Sequence, residues 1–173
     1  MKRREINQTN LLHSTDKILA AIVESTDDAI IAKNPDGTII AWNPAAEKMY
    51  GYTSAEAIGQ HISLIVPEEK QDELCHIMHQ ILAGKRIDHI ETTRLAKDGR
   101  SLVVSLTVSP IKIDGEVIGA SAIARDITHR KENERRLLLA HRRIERVNQI
   151  LIDRELEVED LRRKLSGHSS RRP

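Results

Sequence analysis

Phenylalanine is absent from this chain, and one tryptophan and two tyrosines are its whole aromatic complement, so any core must be built from Ile, Leu, Val, Ala and Met. Cysteine occurs once, at Cys75, which excludes an internal disulfide framework and fits a reducing, cytoplasmic setting. No apolar run approaches the roughly 20 residues needed to cross a bilayer. The basic start Met1-Lys2-Arg3-Arg4-Glu5 is not followed by the apolar stretch of a secretion signal. An excess of one charge is missing too: 27 Lys and Arg face 26 Asp and Glu, and a net charge of +1 gives no general drive toward nucleic acid or a membrane surface. Glycines stand singly in turns, with no phosphate-cradling loop. What is present is a 173-residue chain with 39% hydrophobic and 31% charged residues, enough for one globular domain with helical extensions.

Leu11, Leu12, Ile18, Leu19, Ile22 and Val23 recur at helical spacings and predict an N-terminal amphipathic helix from about Asn10 to Glu24, with Ser14 as an N-cap partway along. Two β-branched runs, Ala29 to Lys33 and Thr38 to Trp42, flank the turn Asn34-Pro35-Asp36-Gly37, a hairpin signal. Asp98-Gly99 and Asp114-Gly115 punctuate three further strands in the same way. Between Ser101 and Ser109, Leu102, Val104, Leu106 and Val108 alternate with less apolar residues, the pattern of a strand with one face on a core. The middle of the chain is helical. Asn43 and Pro44 open a short helix closed by Gly51. Pro67 opens a longer one, with Leu74, Ile77, Met78 and Ile81 as its buried stripe and Gly84 as its end. Strands at both ends with helices between them predict an α+β fold, an antiparallel sheet covered on one side by helices.

The ordered set Asp36-Gly37-Thr38-Ile39, Trp42-Asn43-Pro44-Ala45-Ala46-Glu47, Tyr50-Gly51-Tyr52, Val66-Pro67-Glu68, Lys97-Asp98-Gly99 and Arg125-Asp126-Ile127-Thr128 resembles PAS domains, the last piece their C-terminal (PAC) exit motif. The resemblance runs from about Ile18 to Arg130 and implies a PAS fold, a five-stranded antiparallel sheet whose helical cover cradles a ligand pocket. The expected organisation is an N-terminal helix region over 1–17, the PAS domain over 18–128, a coiled-coil output helix over 129–166 and a disordered tail over 167–173. Asp126, Ile127 and Thr128 are the expected signal relay from sheet to helix.

The output helix carries Leu137, Ile144, Leu151, Val158 and Leu165 every seven residues, with Ala140, Val147, Arg154 and Leu161 three positions on. An a/d seam of about four heptads predicts a coiled coil and a homodimer. Its interface residues are Leu137, Ile144, Val147, Leu151, Val158, Leu161 and Leu165. Arg154 interrupts the seam, and Glu157 and Arg162 fall at positions that attract each other across a parallel dimer. The sequence leaves open whether the helices run parallel or antiparallel. The basic residues from Arg130 to Arg146 are interleaved with Glu132, Glu134 and Glu145, which reads as a solvated face and not as a DNA-binding region.

Among candidate chemistries, His141 lacks the acidic neighbour and downstream proline of a kinase phosphoacceptor, and no ATP-binding domain follows; the chain is expected not to be an enzyme. Haem ligation would use His76 or His79, but the resemblance places Leu74 and Ile90 where oxygen sensors carry their proximal His and distal Arg. Flavin-adduct photochemistry is disfavoured because Ile62 and Ala124 replace the expected Cys and Gln. Cys75 and His79 lie one helical turn apart, too few ligands for a metal site. Ala120, Ala122 and Ala124, expected opposite Val104, Leu106 and Val108, mark the lining of a possible apolar pocket, filled or empty. The favoured reading is a sensor of a ligand, redox state or partner that signals through the coiled coil to a histidine kinase or regulator, with the cofactor unknown. The alternatives are a constitutive dimerisation adaptor and a haem gas sensor.

Overall fold

The structure, a computed structural model, describes the backbone of residues 2–169 and the side chains of 14–154, 157 and 158. It forms two units, one through Thr128 and one from His129 onward. The first unit opens with helix α1 (Lys2–Ser25) and a five-stranded antiparallel sheet: β1 (Ala29–Lys33), β2 (Ile39–Trp42), β3 (Ile87–Leu95), β4 (Ser101–Ile113) and β5 (Glu116–Asp126). The strand order is β2-β1-β5-β4-β3, so β1 and β5, far apart in sequence, are neighbours. Between β2 and β3 lie α2 (Pro44–Tyr50), α3 (Ser54–Ala57), two 3₁₀ turns (Ile62–Ile65 and Glu68–Lys70) and α4 (Gln71–Leu82).

Each turn follows from its residues. In the β1–β2 hairpin, Asp36 Oδ1 accepts from the Thr38 amide at 2.9 Å, and Gly37 adopts a φ of 88°. A side chain there would strike the His61 ring, which packs over the turn. Asp114 and Gly115 both have positive φ, the requirement of the tight turn that joins β4 to β5. At α2, Asn43 caps the helix by accepting from the Ala46 amide, and Gly51 closes it in the left-handed conformation. The short α3 is held by a capping box between Thr53 and Glu56.

The core lies between the inner face of the sheet and the helical segments. Leu102, Val104, Leu106 and Val108 on β4 and Ala120, Ala122 and Ala124 on β5 are buried, as period-two alternation requires. Leu74, Ile77 and Ile81 bury the inward stripe of α4, with Met78 half-buried beside them. The lone tryptophan, Trp42, sits 5.5 Å from the Tyr50 ring and donates to the Tyr52 carbonyl.

Several boundaries differ from the sequence expectations. Helix α1 runs from Lys2, through Ser14 rather than capping near it, and leaves Ile18, Leu19 and Ile22 exposed. The chain makes a 3₁₀ turn after Pro67, and the α-helix starts only at Gln71. The β4–β5 register places Leu106 opposite Ala124 and Val108 opposite Ala122, while Ala120 faces Pro110 and Val104 faces Asp126. The small residues are therefore offset from the expected pairing by one step along the strand. Helix α5 (Thr128–Ser169) supplies the second unit from His129 onward and continues past Gly167, so the expected tail is helical there. Residues 170–173 lie outside the described residues.

Candidate functional site

A cavity of about 20 Å³ lies between the sheet and its helical cover. Ile31, Lys33, Arg94, Leu106 and Ala122 line it from the strands, and Ile62, Ile65, Val66, Leu74 and Ile77 close it from the helical side. Of the pocket residues expected from sequence, Leu106 and Ala122 reach this cavity. Val104, Val108, Ala120 and Ala124 are buried elsewhere in the core.

Lys33 and Arg94 are the residues that sequence reasoning passed over. Ala29, Ile31 and Lys33 alternate on the buried face of β1, which carries a lysine into the core with only 3% of its surface exposed. Thr92 and Arg94 occupy the same face of β3. Both signals lie in strand parity: each residue shares the buried phase of its strand although it is charged and close to a turn. Gly119 is required where β5 passes β1, because a Cβ there would lie 2.5 Å from the Lys33 carbonyl oxygen.

Arg94 is well partnered. Its Nη1 donates to Thr92 Oγ1 and the Thr93 carbonyl, and its Nη2 donates to Glu73 Oε1 at 3.1 Å. Thr92 in turn donates to the Glu73 carboxylate, and Lys70 approaches it from outside at 3.3 Å. Burial works against this carboxylate, but the Thr92 hydrogen bond and the Arg94 charge more than offset it and hold its pKa below the usual range. Lys33 has no such support. Its ammonium makes no hydrogen bond or ion pair with any described residue, and burial, with the neighbouring Arg94 charge, lowers its pKa to about 8.

The expected relay residues form a latch on β4. Thr128 Oγ1 accepts from the Val103 amide at 2.9 Å, the Ile127 amide donates to the Val103 carbonyl, and the Ile127 side chain is buried. Asp126 Oδ1 accepts from the Thr128 amide at 2.8 Å, capping the start of α5. The charged pairing at this junction belongs to Arg125, which forms a two-pronged bond with Asp28 at 2.9 and 2.7 Å. Tyr50, buried with its pKa raised by desolvation, feels the charges of both Arg94 and Asp126.

Other candidates are scattered. His76, His79 and Cys75 are exposed on α4, away from the cavity, and the cavity is far smaller than a porphyrin or flavin ring. Among the described residues no cluster of three or more His, Cys, Asp or Glu side chains could hold a metal. No helix of the described residues is long and apolar enough to cross a membrane. On α5, Leu137, Ile144, Val147, Leu151 and Val158 are exposed, and the side chains of Leu161 and Leu165 lie outside the described residues.

The comparisons agree with this architecture. A family model of the PAS fold matches residues 23–132. The chain is 32% identical over 136 residues to two-component system protein A of Emericella nidulans, covering 78% of this chain and 20% of that protein. It is 31% identical over 137 residues to the signal transduction histidine-protein kinase AtoS of Escherichia coli, covering 79% of this chain and 22% of that one. The chain thus spans about a fifth of the length of these relatives. The solved PAS domain of a Colwellia psychrerythraea protein superposes with a TM-score of 0.60 at 30% identity, over 65% of this chain and 97% of that one. With its sheet order, its exit latch and these matches, the chain belongs to the PAS-fold family.

Proposed function

We propose that the protein is a sensory signal-transduction module without catalytic activity. An occupant of the cavity shifts the packing between sheet and cover, and the shift passes through Asp126, Ile127 and Thr128 into α5. The observation that carries this reading is that one strand serves both ends of the route. Leu106 on β4 lines the cavity, and Val103 on the same strand holds Ile127 and Thr128. For a stimulus to matter it must bind the two packing states unequally.

The heptad seam of α5 pairs with a second copy as a coiled coil, and the homodimer presents its signal to a downstream histidine kinase or response regulator, the context in which the curated relatives are named. The single exposed Cys75 fits action in the reducing cytoplasm. The small size of the cavity supports a second reading, a constitutive dimerisation adaptor that binds nothing.

A cross-linking experiment separates the two. Ile144→Cys in a Cys75→Ser background reports seam contact through disulfide formation between copies. Adding Ala122→Leu fills the cavity and should change the cross-linking rate while the sheet stays folded. An unchanged rate would favour the adaptor, and no cross-linking at all would remove the coiled coil.

A further inference from the structure

The cavity wall holds one positive charge more than its surroundings neutralise. Arg94 spends its charge on Glu73, and Glu73 is shared further with Thr92 and Lys70. Lys33 has no counter-ion among the described residues, and apart from Arg94 the other residues lining the cavity are apolar. A buried, unpaired ammonium is unfavourable until it loses its proton or gains an anion. At pH 7 the first escape is mostly closed, since the Lys33 pKa of about 8 leaves it protonated.

We propose that this cavity is an anion site and that its ligand is a short aliphatic carboxylate, held by Lys33 with Arg94 behind it. The identification of this ligand as the stimulus rests on the sensory reading above; the binding itself does not. A volume of about 20 Å³ holds about one water-sized occupant as it stands, so even formate enters only with a small outward shift of the α4 side chains. A carboxylate supplies the missing charge at Lys33, while its hydrogen or methyl end meets Ile31, Ile62 and Leu106. Each added carbon must displace Leu74 or Ile77 on α4, so affinity should fall from formate and acetate to propionate.

The test uses the full chain with lysine labelled at Cε, the Lys33 signal being assigned by its loss in Lys33→Met. Sodium formate or acetate should shift that signal saturably at neutral pH. Gluconate, a carboxylate too large to enter, should not do so at equal ionic strength. At saturation the Lys33 titration midpoint should rise by about one pH unit, the sign of about tenfold preference for the ammonium form. Thermal stabilisation by formate relative to gluconate should vanish in Lys33→Met. An equal response to gluconate would reduce the effect to screening and overturn the proposal, as would the lack of any saturable shift. Binding without any change at the Ile127 and Thr128 amides would keep the anion site and discard the sensory reading.

Discussion

Lys33 taxes the fold that contains it. Its fall from 10.5 to about 8 corresponds to about 3 kcal/mol of preference for the neutral amine. Between those two values the unfolded chain keeps a proton that the folded chain has released, so stability rises with pH across that window; below about pH 8 both states are protonated and the folded state carries the whole penalty. In anion-free buffer, Lys33→Met should therefore raise stability at pH 7 by up to about 3 kcal/mol and flatten the pH dependence between 8 and 10.5, as followed by urea unfolding. Asn43 acts in the opposite sense. Its Oδ1 accepts from the Ile30 and Ala46 amides and its Nδ2 donates to the Val23 and Asp28 carbonyls, joining α1, β1 and α2 through one buried side chain. Asn43→Ala removes the helix cap and leaves buried backbone groups unpaired, which should cost about 2–4 kcal/mol, read as a lower urea midpoint with an unchanged slope.

At the level of elements, the last residues of the first unit, Asp126 to Thr128, are held by short-range bonds. Asp126→Ala deletes one cap and should lower stability by about 1 kcal/mol. Thr128→Val also strips the acceptor from the Val103 amide, and hydrogen exchange at Val103 should accelerate while exchange at Leu106 does not. The elements themselves were largely legible in the sequence. Asp-Gly pairs announced the hairpins, alternation announced β4, and Asn43-Pro44 announced α2. The start of α4 was not legible, because the residues after Pro67 satisfy helix-start rules whether the first turn is 3₁₀ or α. The site was less legible than the fold. Lys33 and Arg94 share parity with Ile31 and Thr92, but whether a long charged side chain at a strand end turns inward depends on partners from α4 that no local pattern identifies. The alanines of β5 leave only a small cavity, because Ile and Leu side chains of the cover fill most of the space beside them.

On the scale of the whole molecule, the apolar residues of α5 have no covering within the helix itself. Leu137 is 72% exposed and Ile144 58%, and the proposed coiled coil would bury this stripe against a second copy. Changing Ile144 and Leu151 together to Asp should convert a dimer to a monomer in sedimentation velocity, because charges at an apolar seam are costly to desolvate. The sheet signal in circular dichroism should survive, since neither residue belongs to the core of the first unit. A full-length monomer before substitution would refute the pairing. The same chain also carries its own optical probe. Trp42 is its sole tryptophan, buried against Tyr50, and Tyr50 lies within the electrostatic reach of both Arg94 and Asp126. Indole emission, excited selectively without any attached dye, will therefore report on the Tyr50 side of the core, and stopped-flow fluorescence can time how fast a change elsewhere reaches it.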